Sequence, residues 1–353
     1  MLKIFFSDFA DQWNEIVMSF SNWDIYYLNE YVCSLKLIGH GDPILFYYSD
    51  NSFKICYVAM KRDIADDNFF RNYLDKGIYF DLETPYGYGG PLFEGKINDV
   101  SINKFWKGVS NFSRENKIIT QFIRLHPLLQ NEIALNNSCD RIIHQKDTIK
   151  IDTISKGGII NNMDSKTRNM VRKAQKLGVK INFDNSKVNL SQMYKIYSHT
   201  MDINKADSFY YFSKNYFEYI CNHFNNNILF AYAHYQKKII STAIFFYTDR
   251  FMHYHLSGTY SDYRNTAATS LLIYEASIKA HELGINCLHL GGGIHGEDSL
   301  FFFKKRFNNN GRLPFHIART IFDKNIYDKL INLRISKDST FDIDRNYLIK
   351  YRG

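Results

Sequence analysis

Two hydrophobic periods alternate along this chain, and their alternation predicts its elements. Ile44 to Tyr48 and Lys54 to Met60 read as paired strands across the turn cluster Ser49-Asp50-Asn51-Ser52. Thr84-Pro85-Tyr86-Gly87-Tyr88-Gly89-Gly90-Pro91 holds two prolines and three glycines and excludes regular structure. Asn103 to Asn116 has helical spacing, with Phe105, Trp106, Val109 and Phe112 on one side. Ile118 to Leu125 is a predicted strand, and Pro127 is expected to open a short helix. Lys150 to Ile154 is a further short strand. A helix capped by Asp164 or Ser165 should run to Lys176 and stop at Gly178, before a strand at Val179–Phe183. Helices follow near Leu190–Met201 and Ser213–Phe224, then three strands at Ile228–Tyr235, Lys238–Tyr247 and Phe251–Gly258. A long helix, Ala267–Leu283, ends at Gly284 in the usual way, and the strand Cys287–Leu290 follows it.

That last strand leads into Gly291-Gly292-Gly293 and then a helix carrying Lys304, Lys305 and Arg306. A flexible backbone and three cations at the end of a strand suit an anionic or carbonyl-bearing ligand, because open α/β sheets bind ligands there and bare N–H groups attract negative charge.

Composition narrows the classes. The 353 residues suit two domains, and a net charge of +8, from 44 Lys+Arg against 36 Asp+Glu, favours phosphate-bearing partners. Aromatic content of 16%, with 26 Tyr and 29 Phe, can line an extended cleft; an AT-rich codon bias gives the same excess. The five cysteines are scattered, with no C-x-x-C, so a reducing cytoplasm is expected and a disulfide framework or zinc knuckle is not. Asp8 and Asp11 follow a short apolar run, which argues against a signal peptide, and no apolar run reaches 18 residues.

The order strand, helices, three-strand meander, helix, strand, helix in the second half matches an N-acetyltransferase-like α/β domain. Five ordered segments extend the likeness: TPYGYGGP at 84–91, RNMVRKAQKLGVKI at 168–181, YSHTMDINKADSFYYF at 197–212, SLLIYEASIKAHELGINCLHLGGG at 270–293 and SLFFFKKRF at 299–307, with the ending NYLIKYRG. On these the chain resembles the Fem-type peptidoglycan-bridge aminoacyltransferases and their FemAB-like relatives in the GNAT acyltransferase superfamily. Phe303, Lys304 and Phe307 fit the family's Phe-Lys-x-x-Phe pattern. The first 80 residues lack the opening of the bridge-forming enzymes, and no coiled-coil insertion for tRNA is visible. The acetyl-CoA loop of GNAT enzymes, Arg/Gln-x-x-Gly-x-Gly/Ala, is degraded: Arg264 is followed by Ala267 and Thr269. The lost glycines weaken a pyrophosphate cradle.

The resemblance implies an α/β fold of two GNAT-like mixed-sheet domains packed side by side, 1–147 and a transferase domain 148–353. It also implies transfer of an aminoacyl or acyl group to an amine of a cell-envelope glycan or peptidoglycan precursor. The donor would be aminoacyl-tRNA, or acyl-CoA as second choice, with no permanently bound cofactor and no metal. The acceptor would be a sugar-nucleotide or lipid-linked glycan. Partners would include tRNA and the inner membrane face but not DNA, and the location would be cytoplasmic. The alternative is a non-catalytic RNA- or glycan-binding module on a decayed transferase fold.

Amine attack on an activated carbonyl needs no covalent nucleophile, and no G-x-S-x-G elbow occurs. Lys304 is the expected contact for the carbonyl oxygen or donor phosphate, against a solvated helix face. Asp298 can take the amine proton or cap the helix. Gly291, Gly292, Gly293 and Arg264 are the donor-binding candidates; three glycines exceed what a tight turn needs. Arg168 and Arg172, one helical turn apart, can grip a diphosphate or form an exposed basic face. Thr84, Tyr86 and Tyr88 are expected to shape an acceptor groove or a structural loop. His253 and His255 share one strand face, with Tyr254 opposite, and suit a polar cleft lining better than a metal site. Cys287 is read as core packing.

Overall fold

A computed structural model describes residues 1–353 apart from Asn225 and Asn346 and the side chains of Asn136 and Asn137. Asn346, the first residue of the terminal NYLIKYRG, therefore lies outside the described residues. The chain forms two compact units, one from residues 1–145 and 315–353, the other from 146–314. The expectation that 148–353 forms one continuous domain is corrected at its end, because the last 39 residues belong with the first unit.

In the first unit, β1 (Lys3–Phe6) is followed by α1 (Ala10–Met18) and α2 (Asn29–Lys36), then the hairpin β2 (Asp42–Ser49) and β3 (Phe53–Asp63). The hairpin pairs Ile44 with Ala59, and Asp50 accepts from the amides of Ser52 and Phe53 to tie its turn. After β4 (Phe80–Glu83) and β5 (Pro91–Gly95), α3 (Asp99–Glu115) crosses over to β6 (Ile118–Arg124), which pairs parallel with β4. The α3 face predicted from spacing, Phe105, Trp106 and Val109, is buried against β2, β3 and β6 residues. Pro127 lies in a turn. The short helix starts only at Asn131, after Gln130 adopts φ 49°.

The chain leaves the first unit within β7 (Arg141–Asp152). The second unit contains α4 (Lys156–Asn162), α5 (Ser165–Lys176), β8 (Lys180–Phe183), α6 (Leu190–Ile203), α7 (Lys214–His223), β9 (Ile228–Tyr235), β10 (Lys238–Tyr247), β11 (Phe251–Thr259), α8 (Ala268–Glu282), β12 (Cys287–Gly292) and α9 (Ser299–Lys305). Asp164 caps α5 by accepting from Thr167 N at 2.6 Å, and Gly178 and Gly284 close α5 and α8 in the left-handed region. The strand order is β7-β12-β11-β10-β9-β8. Only β11 and β12 are parallel, joined by the crossover α8; the other neighbours are antiparallel. One sheet face packs on α5 and α8 through Ala231, Phe245, Met252, Leu272 and Leu288.

The chain returns through β13 (Arg312–Ile321), whose Ile317–Ile321 pair antiparallel with β6, and ends after α10 (Lys324–Lys337). Each unit is thus a mixed sheet with one parallel strand pair joined by a helix, β4-α3-β6 in the first and β11-α8-β12 in the second. Among the described residues no helix is long and apolar enough to cross a membrane.

Candidate active site

The parallel strands of the second unit part near the candidate residues. Phe251, Met252 and His253 pair with Cys287, Leu288 and His289, and the pairing then stops. β11 continues along β10 to Thr259, while β12 continues along β7 to Gly292. Two irregularities help to separate them. The β10–β11 register slips between Ile244 and Phe245, which leaves His255 opposite no residue. The β12–β7 register slips between His289 and Gly291, with Gly291 at φ 72°. Strands that diverge past a parallel pair open a crevice at their carboxyl ends, the usual ligand position in such sheets.

Lys304 is brought to this end by α9. Phe301 and Phe307 anchor that helix in the core, and Phe303 packs on Phe307 with ring centroids 5.4 Å apart. The resulting orientation leaves Lys304 only 8% exposed, with Nζ donating to Gly292 O at 2.8 Å. Lys146 on β7 donates to the next carbonyl, Gly293 O, at 2.6 Å. Burial, reinforced by the Lys146 charge and opposed by Asp298, lowers the Lys304 pKa to about 7. Lys305, one residue on, is half-buried, and Lys304 alone of the pair is enclosed.

Asp298 is a helix cap. Its carboxylate accepts from Phe301 N at 2.9 Å, Ile294 N at 2.7 Å and His295 N at 3.0 Å. Burial works against its charge, yet these backbone donors hold its pKa below the usual carboxylate value. The expectation that it takes a proton gives way to capping, because its oxygens are occupied and its basicity is reduced.

The three glycines are explained by the protein's own atoms. Gly291 supplies the positive φ of the bulge. A Cβ on Gly292 would lie 2.7 Å from Asp147 O, and one on Gly293 would clash with Asp298 Oδ1 and Gly296 O. The turn gives its 292 and 293 carbonyls to two lysines, and the amides of Ile294 and His295 to Asp298.

Arg264 lies exposed in the turn Ser261–Thr266 between β11 and α8. Ala267, where the GNAT loop carries glycine, adopts φ 57°, the left-handed conformation a glycine would supply. Thr266 Oγ1 accepts from Ala268 N at 3.3 Å, and Thr269 is drawn into a hydroxyl chain with Thr259 and Ser241 at 2.8 and 2.7 Å. The protein's own hydroxyls thus occupy part of this helix start. A cleft of about 570 Å³ opens beside the same turn, lined by Gln192, His199, Lys237, Lys238, Tyr260 and Tyr263 among others.

His253 is buried with its ring 5.6 Å from that of His289, whose Nε2 bonds Thr148 Oγ1 at 2.9 Å. His255 bonds Tyr216 OH at 2.7 Å, and burial, with His253 nearby, lowers its pKa to about 3, so it is neutral. Tyr254 packs on the other face, against Phe245. Arg168 Nη1 donates back to Met163 O, and Arg172, one turn on, is exposed.

The remaining three candidates lie in the first unit. Thr84 is fully buried, and its hydroxyl accepts from Arg124 N at 2.9 Å. Tyr86 O accepts from Tyr31 OH at 2.6 Å, and Tyr88 packs against Tyr26, His126 and Phe315. Beside them is an ion network that sequence reasoning missed. Asp81 pairs with Arg62 Nε at 2.9 Å and Arg352 Nη2 at 2.8 Å, Glu83 pairs with Arg62 and Arg124, and Tyr351 OH bonds Thr120 Oγ1 at 2.7 Å. The signal was Phe80-Asp81-Leu82-Glu83, an apolar-acidic alternation that turns out to be buried on both faces. Lys146 and Thr148 were missed as well, since a lone lysine or threonine in a polar strand gives no pattern.

Comparison with known proteins agrees with this fold. Residues 161–304 match the acetyltransferase (GNAT) domain family. The crystal structure of FemX superposes with a TM-score of 0.66 at 13% identity, covering 91% of this chain and 98% of that one. The C-terminal domain of a putative lysylphosphatidylglycerol synthetase from Agrobacterium fabrum gives 0.56 at 14% identity, over 88% and 91%. A Bacteroides thetaiotaomicron protein of unknown function gives 0.57 at 11% identity, over 90% and 99%. No curated protein sequence matches the chain. The chain carries an acyltransferase-type GNAT domain and has the FemAB-like GNAT fold.

Proposed function

We propose that this protein transfers an aminoacyl or acyl group to an amine of a cell-envelope precursor, a nucleotide- or lipid-linked glycan or a peptidoglycan precursor. One observation carries the reading: Lys304, buried against the end of β12, keeps an ammonium of lowered proton affinity with a single backbone partner among the described residues. A neutral amine attacks the donor carbonyl, the new C–N bond forms, and the ester or thioester bond breaks. The amine proton leaves with the departing oxygen or sulfur. As negative charge grows on the carbonyl oxygen, it raises the proton affinity of Lys304, so the ammonium binds the transition state better than the ground state.

Aminoacyl-tRNA is the preferred donor and acyl-CoA the second. The alanine in place of a loop glycine, and the Thr266 hydroxyl that takes the amide of Ala268, support this order of donors. Likeness to FemX and to a lysylphosphatidylglycerol synthetase domain supports an envelope acceptor. The test is amide formation from labelled aminoacyl-tRNA or acyl-CoA with amino-sugar nucleotides and lipid-linked acceptors. Binding of donor or acceptor without amide product would support the non-catalytic reading instead.

A further inference from the structure

Two ammonium groups meet at one turn of the second unit. Lys304 Nζ holds Gly292 O and Lys146 Nζ holds Gly293 O, so consecutive carbonyls anchor like charges from different elements, α9 and β7. The Lys146 stem lies along the turn, its Cδ and Cε 3.5 and 3.6 Å from where a Gly292 side chain would begin. Such an approach costs free energy unless a carboxylate neutralises it, and among the described residues no carboxylate forms an ion pair with Lys304. Asp298 accepts three backbone amides, and Asp147 and Glu297 each pair with Arg312 at 2.7 Å. Lys305 and Arg306 follow on the same segment, and Arg306 approaches Asp164 at 3.7 Å. His289, on β12, is bonded to Thr148.

We infer that Lys146 is a positioning residue for Lys304: it fixes the carbonyl turn on which Lys304 rests and sets the positive field in which Lys304 works. This rests on the reading of Lys304 as the group that meets the reacting carbonyl. A lysine beside a second cation in a dry site holds its proton loosely, which is the recognised way to bring an amine into the neutral range. Lys146 thereby raises the energy of the resting ammonium, and that energy is released when an oxyanion arrives.

The test measures Lys304 directly in the full-length protein. Competitive labelling with isotopic acetic anhydride across pH 5 to 11, read by mass spectrometry of the peptide containing Lys304, gives its ionisation midpoint without any substrate. Lys146→Gln keeps a hydrogen-bond donor for Gly293 O and removes the charge; Lys146→Arg keeps the charge. The expected result is a Lys304 midpoint raised by about one pH unit or more in the Gln variant, a tenfold change in proton affinity, and restored in the Arg variant. If acyl transfer is present, the basic limb of kcat/KM moves up with it. An unchanged Lys304 midpoint in the Gln variant, with circular dichroism and melting like the wild type, overturns the inference. If the Gln variant does not fold, the Arg variant decides alone, since a midpoint displaced to the ordinary lysine range despite the retained charge also overturns it. A midpoint that moves while transfer is insensitive to Lys304→Met sustains the coupling and defeats the proposed function.

Discussion

Lys304 shows how burial changes the proton affinity of a lysine. Its Nζ sits on Gly292 O, and its pKa of about 7 lies well below the 10.5 of a free lysine. Between those values the unfolded chain holds the proton and the folded chain does not, so stability should rise with pH from about 7 to about 10. Urea midpoints measured across that range should climb in the wild type, and this part of the slope should vanish in Lys304→Met. The same substitution should lower turnover about 100- to 1,000-fold, the scale for losing one oxyanion donor. Asp298 separates two roles at the same turn. Asn caps helices about as well as Asp, so Asp298→Asn should keep most activity, whereas Asp298→Ala should lose about 1–2 kcal/mol of stability. A proton acceptor at this position would instead lose its activity in the Asn variant. At this scale the Phe-Lys-x-x-Phe pattern made Lys304 legible. Lys146 was not, because its importance comes from a contact 147 positions away that no local pattern encodes.

At the scale of elements, the site depends on how β12 ends. Its bulge at Gly291, its close contact with β7 at Gly292 and its tight turn at Gly293 each need a residue without Cβ. Gly293→Ala should cost about 1–3 kcal/mol, the scale of overpacking, and should displace the Gly293 carbonyl that Lys146 holds; thermal melts and the Lys304 midpoint would both report it. The meander β9-β10-β11, the helices α5 and α8 and the strand β12 were legible because strong alternation and clear caps agree there. The elements β1, β13 and α10 were not. β1 has only four residues, β13 mixes Arg, His and Thr into its alternation, and α10 has an ill-defined apolar face with only Tyr327 and Leu330 buried. The glycine run reads in the sequence as backbone that something approaches closely; protein atoms make that approach at Gly292 and Gly293, and sequence does not name them.

At the scale of the molecule, both units repeat one plan, a parallel strand pair with a helical crossover, but they use it differently. In the first unit, parallel pairing of β4 and β6 continues as a bridge from Gly89 to Leu125, and the Asp81–Glu83–Arg62–Arg124–Arg352 network occupies that region. In the second, the pair separates past His253 and His289, and Lys304 bonds Gly292 O at the end of β12. Burial works against ionised Asp81 and Glu83, but the surrounding arginines hold both below the usual carboxylate range. Their stabilisation is therefore present above about pH 4 and lost as pH falls through the lowered values. Deleting Tyr351–Gly353 removes Arg352 from buried Asp81 and should destabilise the first unit by about 3–5 kcal/mol, seen as a lower urea midpoint. The return of residues 315–353 to the first unit was illegible, since the terminal Tyr351 and Arg352 reveal their role only when Thr120 and Asp81 are beside them. The most direct test of the central claim is single-turnover transfer of a labelled aminoacyl group from tRNA to a lipid- or nucleotide-linked acceptor amine, by wild type and Lys304→Met side by side. The expected result is an amide product from the wild type and a rate at least about 100-fold lower from the variant, with donor binding unchanged. Equal rates in the two proteins would contradict the account.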